Sequence, residues 1–388
     1  MNRAVLLCCL LAVSQILGCS GLTEGVIDLP RKNEFSSGRS STTKHRVLTV
    51  IWRLALVDPD LFSKDQNHHG TPAATQDGGR IFAGGIDGSF VCLSTKDGKI
   101  LWRNMTSGPI ESHPTVAGGI VYVGSASGTL YAYRISDGEQ LWSYHMPGSV
   151  SGQPILADDK ILVMTDVNVV VCLEAQTGKW LWSYKRPMPT GRFQVKGVAD
   201  PLVDDNTVYA GFSDGFLTTL SLDDGTLQHA KNLSGTGDKF TDVDTSPVLI
   251  DGLLITGSFS QGIIALGTKN LDKRWSFKAE GPSNIESSDG VLYFSTANSK
   301  VFAIRAKDGK PIWSFSAKKG QLSRPVICGR WIFISSEEYS LLALDKSNGE
   351  LVQIFNPGKG ANAAPLVHAN RIFWTSNGET IYSMTVTQ

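Results

Sequence analysis

From residue 47 onward the chain alternates apolar and polar positions in runs of about five residues. Ile120-Val121-Tyr122-Val123 and Thr129-Leu130-Tyr131-Ala132-Tyr133 are two such runs. Small and polar clusters separate them, as in Gly124-Ser125-Ala126-Ser127-Gly128 and Gly257-Ser258-Phe259-Ser260-Gln261-Gly262. Short period-two runs with this punctuation predict antiparallel strands joined by tight turns.

The strand pattern itself repeats. Asp97-Gly98-Lys99-Ile100-Leu101-Trp102 returns as Asp137-Gly138-Glu139-Gln140-Leu141-Trp142, as Thr177-Gly178-Lys179-Trp180-Leu181-Trp182 and as Asp308-Gly309-Lys310-Pro311-Ile312-Trp313. Leu271-Asp272-Lys273-Arg274-Trp275 is a degraded copy, and His229 and Gln353 stand where two further tryptophans are due. The marked positions 102, 142, 182, 229, 275, 313 and 353 are spaced 40, 40, 47, 46, 38 and 40 residues apart. Prolines at 72, 114, 154, 201, 247, 325 and 365 run in step, with Ile285 in the skipped unit. Four short strands per forty-odd residues make a propeller blade, so the fold class is all-β, an eight-bladed β-propeller of four-stranded antiparallel blades. The last unit, 365–388, lacks its outer strand. Val47-Leu48-Thr49-Val50-Ile51-Trp52-Arg53-Leu54 has that character, so the N-terminal strand is expected to pair with the C-terminal blade and close the ring, leaving no exposed sheet edge at the seam. The tryptophans are expected to fill the wedges between blades, and the glycines of the Asp-Gly pairs to supply positive φ.

Composition then narrows the class. The 388 residues would suggest two or three domains, but forty glycines distributed through the turns of equal units make one ring. Lys+Arg and Asp+Glu are both 36, which argues against nucleic acid as a partner. Residues 1–18 carry one charge, Arg3, and an apolar run too short to span a bilayer, and read as a secretory signal. The segment ends Ile16-Leu17-Gly18-Cys19, which resembles a bacterial lipobox and makes Cys19 the candidate site of a covalent lipid. Residues 19–46 are polar and Ser/Thr/Gly-rich, a lipid anchor and flexible tether, and 47–388 form the propeller.

No catalytic pattern emerges. The seven histidines form no i, i+4 pair, and no G-x-S-x-G, phosphate loop or zinc spacing occurs. Cys92 and Cys172 share a repeat position held elsewhere by alanine, and read as small buried hydrophobes. No catalytic residue and no metal site are expected.

The repeat resembles that of the quinoprotein-like PQQ-repeat propellers. That family includes dehydrogenases, which hold their quinone over a vicinal disulfide with bound calcium; the only adjacent cysteines here are Cys8 and Cys9, inside the signal. The lipobox, tether, eight units and N-terminal closure are more similar to the BamB family, outer-membrane lipoproteins of the β-barrel assembly machinery. Thr241-Asp242-Val243-Asp244-Thr245-Ser246-Pro247 resembles that family's D-V-D-T-x-P segment. Met188-Pro189 with Phe193-Gln194-Val195-Lys196-Gly197 resembles its M-P and L-S-L-R-G stretch. The resemblance implies a non-enzymatic scaffold without cofactor, on the periplasmic face of the outer membrane. It would dock on the POTRA region of a BamA-like insertase beside the other Bam subunits, with unfolded β-barrel substrates as further partners. Carried over, the partner-binding residues are Phe193, Val195, Lys196, Asp242 and Asp244. The two long repeats place their extra residues at about 183–200 and 230–246, in consecutive units, so both should rise from one face as an exposed patch. A quinoprotein-type dehydrogenase and a ligand-binding periplasmic propeller are the alternatives.

Overall fold

The computed structural model describes residues 46–57, 70–76, 78–188, 198–235 and 240–387. The expected signal peptide, Cys19 and all of the tether but residue 46 lie outside the described residues. Among the described residues, 32 strands form eight four-stranded sheets, each a meander. Blades 1 to 7 take their strands in chain order from 73–105, 115–145, 155–185, 202–232, 245–277, 286–316 and 326–355. Blade 8 joins three strands of 366–386 to Leu48–Ala55, which pairs antiparallel with Thr380–Val386. The eight-bladed ring and its N-terminal closure are as the repeats predict.

One contact recurs between blades. The outer-strand tryptophan of one blade packs on the turn that enters the outer strand of the next. Its indole N–H donates to a backbone carbonyl there: Trp52 to Thr95, Trp102 to Ile135, Trp142 to Ala175, Trp182 to Leu222, Trp275 to Ala306 and Trp313 to Lys346, all at 2.8–3.0 Å. The turn glycines Gly98, Gly138, Gly178, Gly225, Gly309 and Gly349 have φ of 68–79°. A Cβ on any of them would stand 2.4–2.8 Å from the tryptophan ring. Glycine is therefore required twice at each site, for the backbone and for the ring that lies against it.

The tryptophan reaches this place because every outer strand carries a β-bulge. In blade 1, Cys92 pairs with Trp102 but Leu93 pairs with Ile100, so Leu101 is the extra residue. The same shift occurs in the other seven blades. A bulge re-aims the side chain beside it. The position paired with tryptophan is small, Cys92, Ala132, Cys172, Ala265, Ala303 and Ser383, which explains why cysteine and alanine interchange there. Cys92, Cys172 and Cys328 are buried and unpaired, and burial pushes the first two thiols up to about 12.

Two junctions depart from the rule. Between blades 7 and 8 the turn is replaced by the meeting of the entry to the N-terminal strand with the end of the last strand, where the Thr387 N–H donates to the Val47 carbonyl at 2.8 Å. Gln353, buried where a tryptophan would sit, accepts hydrogen bonds from the backbone N–H groups of Val47 (2.8 Å) and Leu48 (2.9 Å). Between blades 4 and 5, His229 is exposed and bonds only locally to Thr219. The facing turn carries Leu271, with φ of 55°, in the glycine position. Leu271 is buried among Tyr209, Leu217, Val243 and Leu254, so the wedge is filled from the opposite side.

The seam is testable. Gln353→Ala leaves two buried amide donors without an acceptor, a loss of about 3 kcal/mol at roughly 1–3 kcal/mol per group. Gln353→Trp restores the residue of the other blades but supplies no acceptor, and is expected not to recover it. Urea unfolding followed by circular dichroism measures both; a Gln353→Ala loss under about 1 kcal/mol would contradict the role given to this side chain.

Candidate functional site

The two expected long connections run from Arg186 to Pro201, between blades 3 and 4, and from Leu233 to Asp244, between blades 4 and 5; a third, 56–72, joins blade 8 to blade 1 and was not expected from the repeat spacing. The bounds of the expected two differ from those expected by one to three residues, the starts because the outer strands continue to Lys185 and Asn232. Phe193, Val195 and Lys196 lie outside the described residues. The roots of both connections are described, and both are anchored on one turn of blade 4, Phe212–Phe216.

The first connection starts at Arg186, whose Nε donates to Asp214 Oδ2 at 2.7 Å, with both side chains only 15% exposed. Its guanidinium lies over the Phe216 ring, 4.1 Å from the centroid. Asn168 of blade 3 adds a bridge. Its Oδ1 accepts from Ser213 N and Oγ, and its Nδ2 donates to the Pro187 carbonyl at 3.2 Å. The second connection leaves on the Leu233 N–H, which donates to the Gly215 carbonyl, and returns on the Thr241 hydroxyl, which donates to Ser213 at 3.0 Å. The expectation that the two connections rise side by side agrees with these roots.

The far ends are tied closer to the axis. The Gln153 N–H donates to Asp200 Oδ1 (2.7 Å), the Asp200 N–H to Ser246 Oγ (2.8 Å), and the Ser246 N–H to Asn284 Oδ1 (2.7 Å). These residues each precede the repeat's proline position, so one donor chain crosses blades 3 to 6 and links the end of each long connection. Burial pushes Asp200 up to about 6 against these favourable hydrogen bonds.

The expected exposed acidic pair is corrected here. Thr241, Asp242, Val243 and Thr245 are buried, and Asp244 is half-buried. Val243 holds the segment in the groove between blades 4 and 5: its N–H donates to Phe212 (3.1 Å) and its side chain joins the Tyr209–Leu271 cluster. The Asp242 carbonyl accepts from the Phe259 N–H at 3.3 Å. Asp244 Oδ1 is enclosed and accepts no hydrogen bond. Burial, with Asp242 beside it, raises its carboxyl to about 7. Arg186, Asp214, Asn168 and Asp200 were not singled out from sequence, and Thr241 and Ser246 stood there only as flanks of the acidic motif. Their signal was present in one case: Asn168 stands where blades 1, 2 and 4 have Gly88, Gly128 and Gly215.

A family model described as outer membrane protein assembly factor BamB matches residues 49–144, 115–315 and 308–388. The chain belongs to the BamB family. A BamB of Legionella pneumophila (strain Paris) is 26% identical over 198 residues, 50% of this chain and 52% of that protein. The chain thus spans about half the length of the curated relatives it matches. The crystal structure of BamB from Moraxella catarrhalis superposes with a TM-score of 0.75 at 21% identity, over 87% of this chain and 100% of that one. A 1-butanol dehydrogenase (quinone) of Thauera butanivorans is 29% identical over 126 residues, 28% of this chain and 20% of that protein.

This last likeness raises the question of a quinone with calcium on the axis. A cavity of about 440 Å3 does lie there, lined among others by Glu111, His113, Asp200, Asn284 and Arg324. Arg324 pairs with Glu286 at 3.7 Å. Burial and Arg324 hold His113 down at about 3, so its imidazole is neutral. Among the described residues no three His, Cys, Asp or Glu side chains converge on a metal position, and the three cysteines sit in blades 1, 3 and 7. The axial residues of this BamB-family chain do not fit that group.

The Asp244 geometry makes a pH prediction. Its folded state keeps the proton to about pH 7, whereas an ordinary carboxyl releases it near 3.8. The folded state then binds more protons than the unfolded state, so Asp244's contribution to stability falls as pH rises between those values and is flat above them. Asp244→Asn should match the wild type near pH 4 and exceed it at pH 8. Denaturant unfolding at pH 4 to 8 checks this; parallel curves for the two proteins would refute the assignment.

Proposed function

We propose that this chain is a lipid-anchored, non-enzymatic scaffold of outer-membrane β-barrel assembly, docking through its two long connections on the POTRA region of a BamA-like insertase. The observation that carries the reading is the pairing of two consecutive long connections, rooted on one turn, in a member of the BamB family. Long connections on a rigid ring are where a propeller departs from its own repeat, and binding groups concentrate on such segments. Phe193 and Val195 supply the apolar contact and Lys196 the basic one, the composition of a protein interface with a polar rim. Asp242 and Asp244, the acidic pair of the resemblance, lie at the end of the second connection, where Asp242 is buried and Asp244 half-buried; Asp244 is the one of the two that a partner can approach. Cys19 carries the lipid, and residues 20–46 span the gap to the ring. The reading needs no cofactor. The outer strand Leu227–Asn232, exposed at all six residues, is the edge best suited to unfolded β-barrel segments by strand addition.

Affinity purification from native membranes with mass spectrometry tests the partner. Wild type should recover a BamA-like barrel protein, and Lys196→Glu or Phe193→Asp should lower that recovery at least tenfold, about 1.4 kcal/mol. Recovery at wild-type level in both variants would place docking elsewhere. Fatty-acid labelling of wild type against Cys19→Ala tests the anchor on its own.

A further inference from the structure

We infer that the Phe212–Phe216 turn of blade 4 is the positioning element of the docking platform, holding the two long connections in fixed relation to each other. The inference rests on the docking reading above and names the residues that would set its geometry. In a four-stranded blade the turn between the second and third strands touches both the connection before it and the connection after it. In blade 2 the following connection donates from Met146 to Gly128 and from Val150 to Ser125. In blade 3 the preceding connection donates from the Ser149 N–H to Asp166 (2.7 Å). In blade 7, Lys319 reaches Glu338 (3.2 Å), with the lysine 67% exposed. Blade 4 is the one blade for which both connections are long, so its turn is where their relative placement is decided.

The contacts at this turn are correspondingly tighter. The Arg186–Asp214 pair joins two blades and is mostly enclosed, unlike the exposed pairs Arg134–Asp137 and Arg305–Asp308, each within a single turn. An exposed pair contributes little, whereas removing one partner of an enclosed pair leaves an uncompensated charge. The arginine is further held by the Phe216 ring. On the other side Gly215, at φ of 90°, lets the backbone of the second connection approach: an added Cβ would lie 3.0 Å from Ser234 Cβ and 3.2 Å from the Thr241 carbonyl. The Thr241 hydroxyl bond to Ser213 and the Val243 N–H bond to Phe212 complete the hold. Asp214 and Gly215 thus act through the connections; they are positioning residues and need not touch the partner.

The experiment compares the full chain with Asp214→Asn, Arg186→Gln and Gly215→Ala, with Arg134→Ala as an exposed-pair control. Hydrogen exchange is read at 187–197 and 234–241. Capture is read with the soluble POTRA repeats of the same host's BamA-like protein. Each test variant should raise exchange in both connections and weaken capture, by about tenfold each, while exchange in the strands of blades 1, 2, 6 and 7 stays at the control's level. Exchange that rises in one connection only, or capture at wild-type strength despite raised exchange, would overturn the inference. If wild type itself does not capture the repeats, the docking reading fails, and exchange in the two connections still decides whether this turn couples them.

Discussion

The ring stands on one contact, the insertion of an outer-strand tryptophan over the glycine turn of the next blade. It joins sequence to architecture in a single step. A bulge turns the indole out of its own sheet, a small residue opposite leaves room for it, and a glycine on the neighbour accepts its face. The indole N–H then meets a carbonyl that would otherwise be shielded from water by the ring itself. Each of these is weak evidence alone. Together they fix the spacing between blades, because the ring, the glycine and the carbonyl can be satisfied in only one relative placement. The aromatic area buried at each wedge is on the order of 150–250 Å2, so the contact is both the main adhesive and the gauge of the propeller.

A repeated contact makes its exceptions informative. Gln353 departs from tryptophan because the facing turn does not exist: the N-terminal strand enters blade 8 there, and two backbone donors need an oxygen more than they need a ring. His229 departs together with its partner, since glycine has become Leu271 on the other side of the wedge. The compensation has a cost, as a leucine in the left-handed region is disfavoured by about 1–2 kcal/mol, offset by its burial. Neither exception is decay of the repeat. One is the physics of closure and the other an exchange of which blade supplies the filler.

The difference between what was legible and what was not follows from this. Period, blade count and closure could be read because they rest on strong local signals: glycine turns, apolar alternation and a spaced aromatic. The bulge could have been read, since Ile100-Leu101-Trp102 breaks the alternation. The burial of Asp242 could not. Two acidic residues in a long connection look solvated, and only the fold reveals that Val243 drags the segment into the groove between blades. The Arg186–Asp214 pair is separated by 28 positions, and nothing in either residue's neighbourhood announces the other. Long-range polar pairs carry no period, and a repeat-based reading is blind to them.

Blade 4 concentrates the departures. Its outer strand is exposed along its whole length, its following wedge uses the inverted filler, and both of its flanking connections are long. These are related. A tryptophan at 229 would need a glycine in the facing turn as elsewhere; with histidine at 229 and Leu271 in that turn, the junction instead relies on Leu271 and on Val243, which belongs to the second connection. The connection is thus part of the wedge rather than an ornament on it. That couples its placement to the packing of blades 4 and 5, and makes the region rigid at its roots where an ordinary long loop would be free. If the two connections dock as proposed, a surface rooted this way loses less conformational entropy on binding, since the ordering of its roots is already present in the ring.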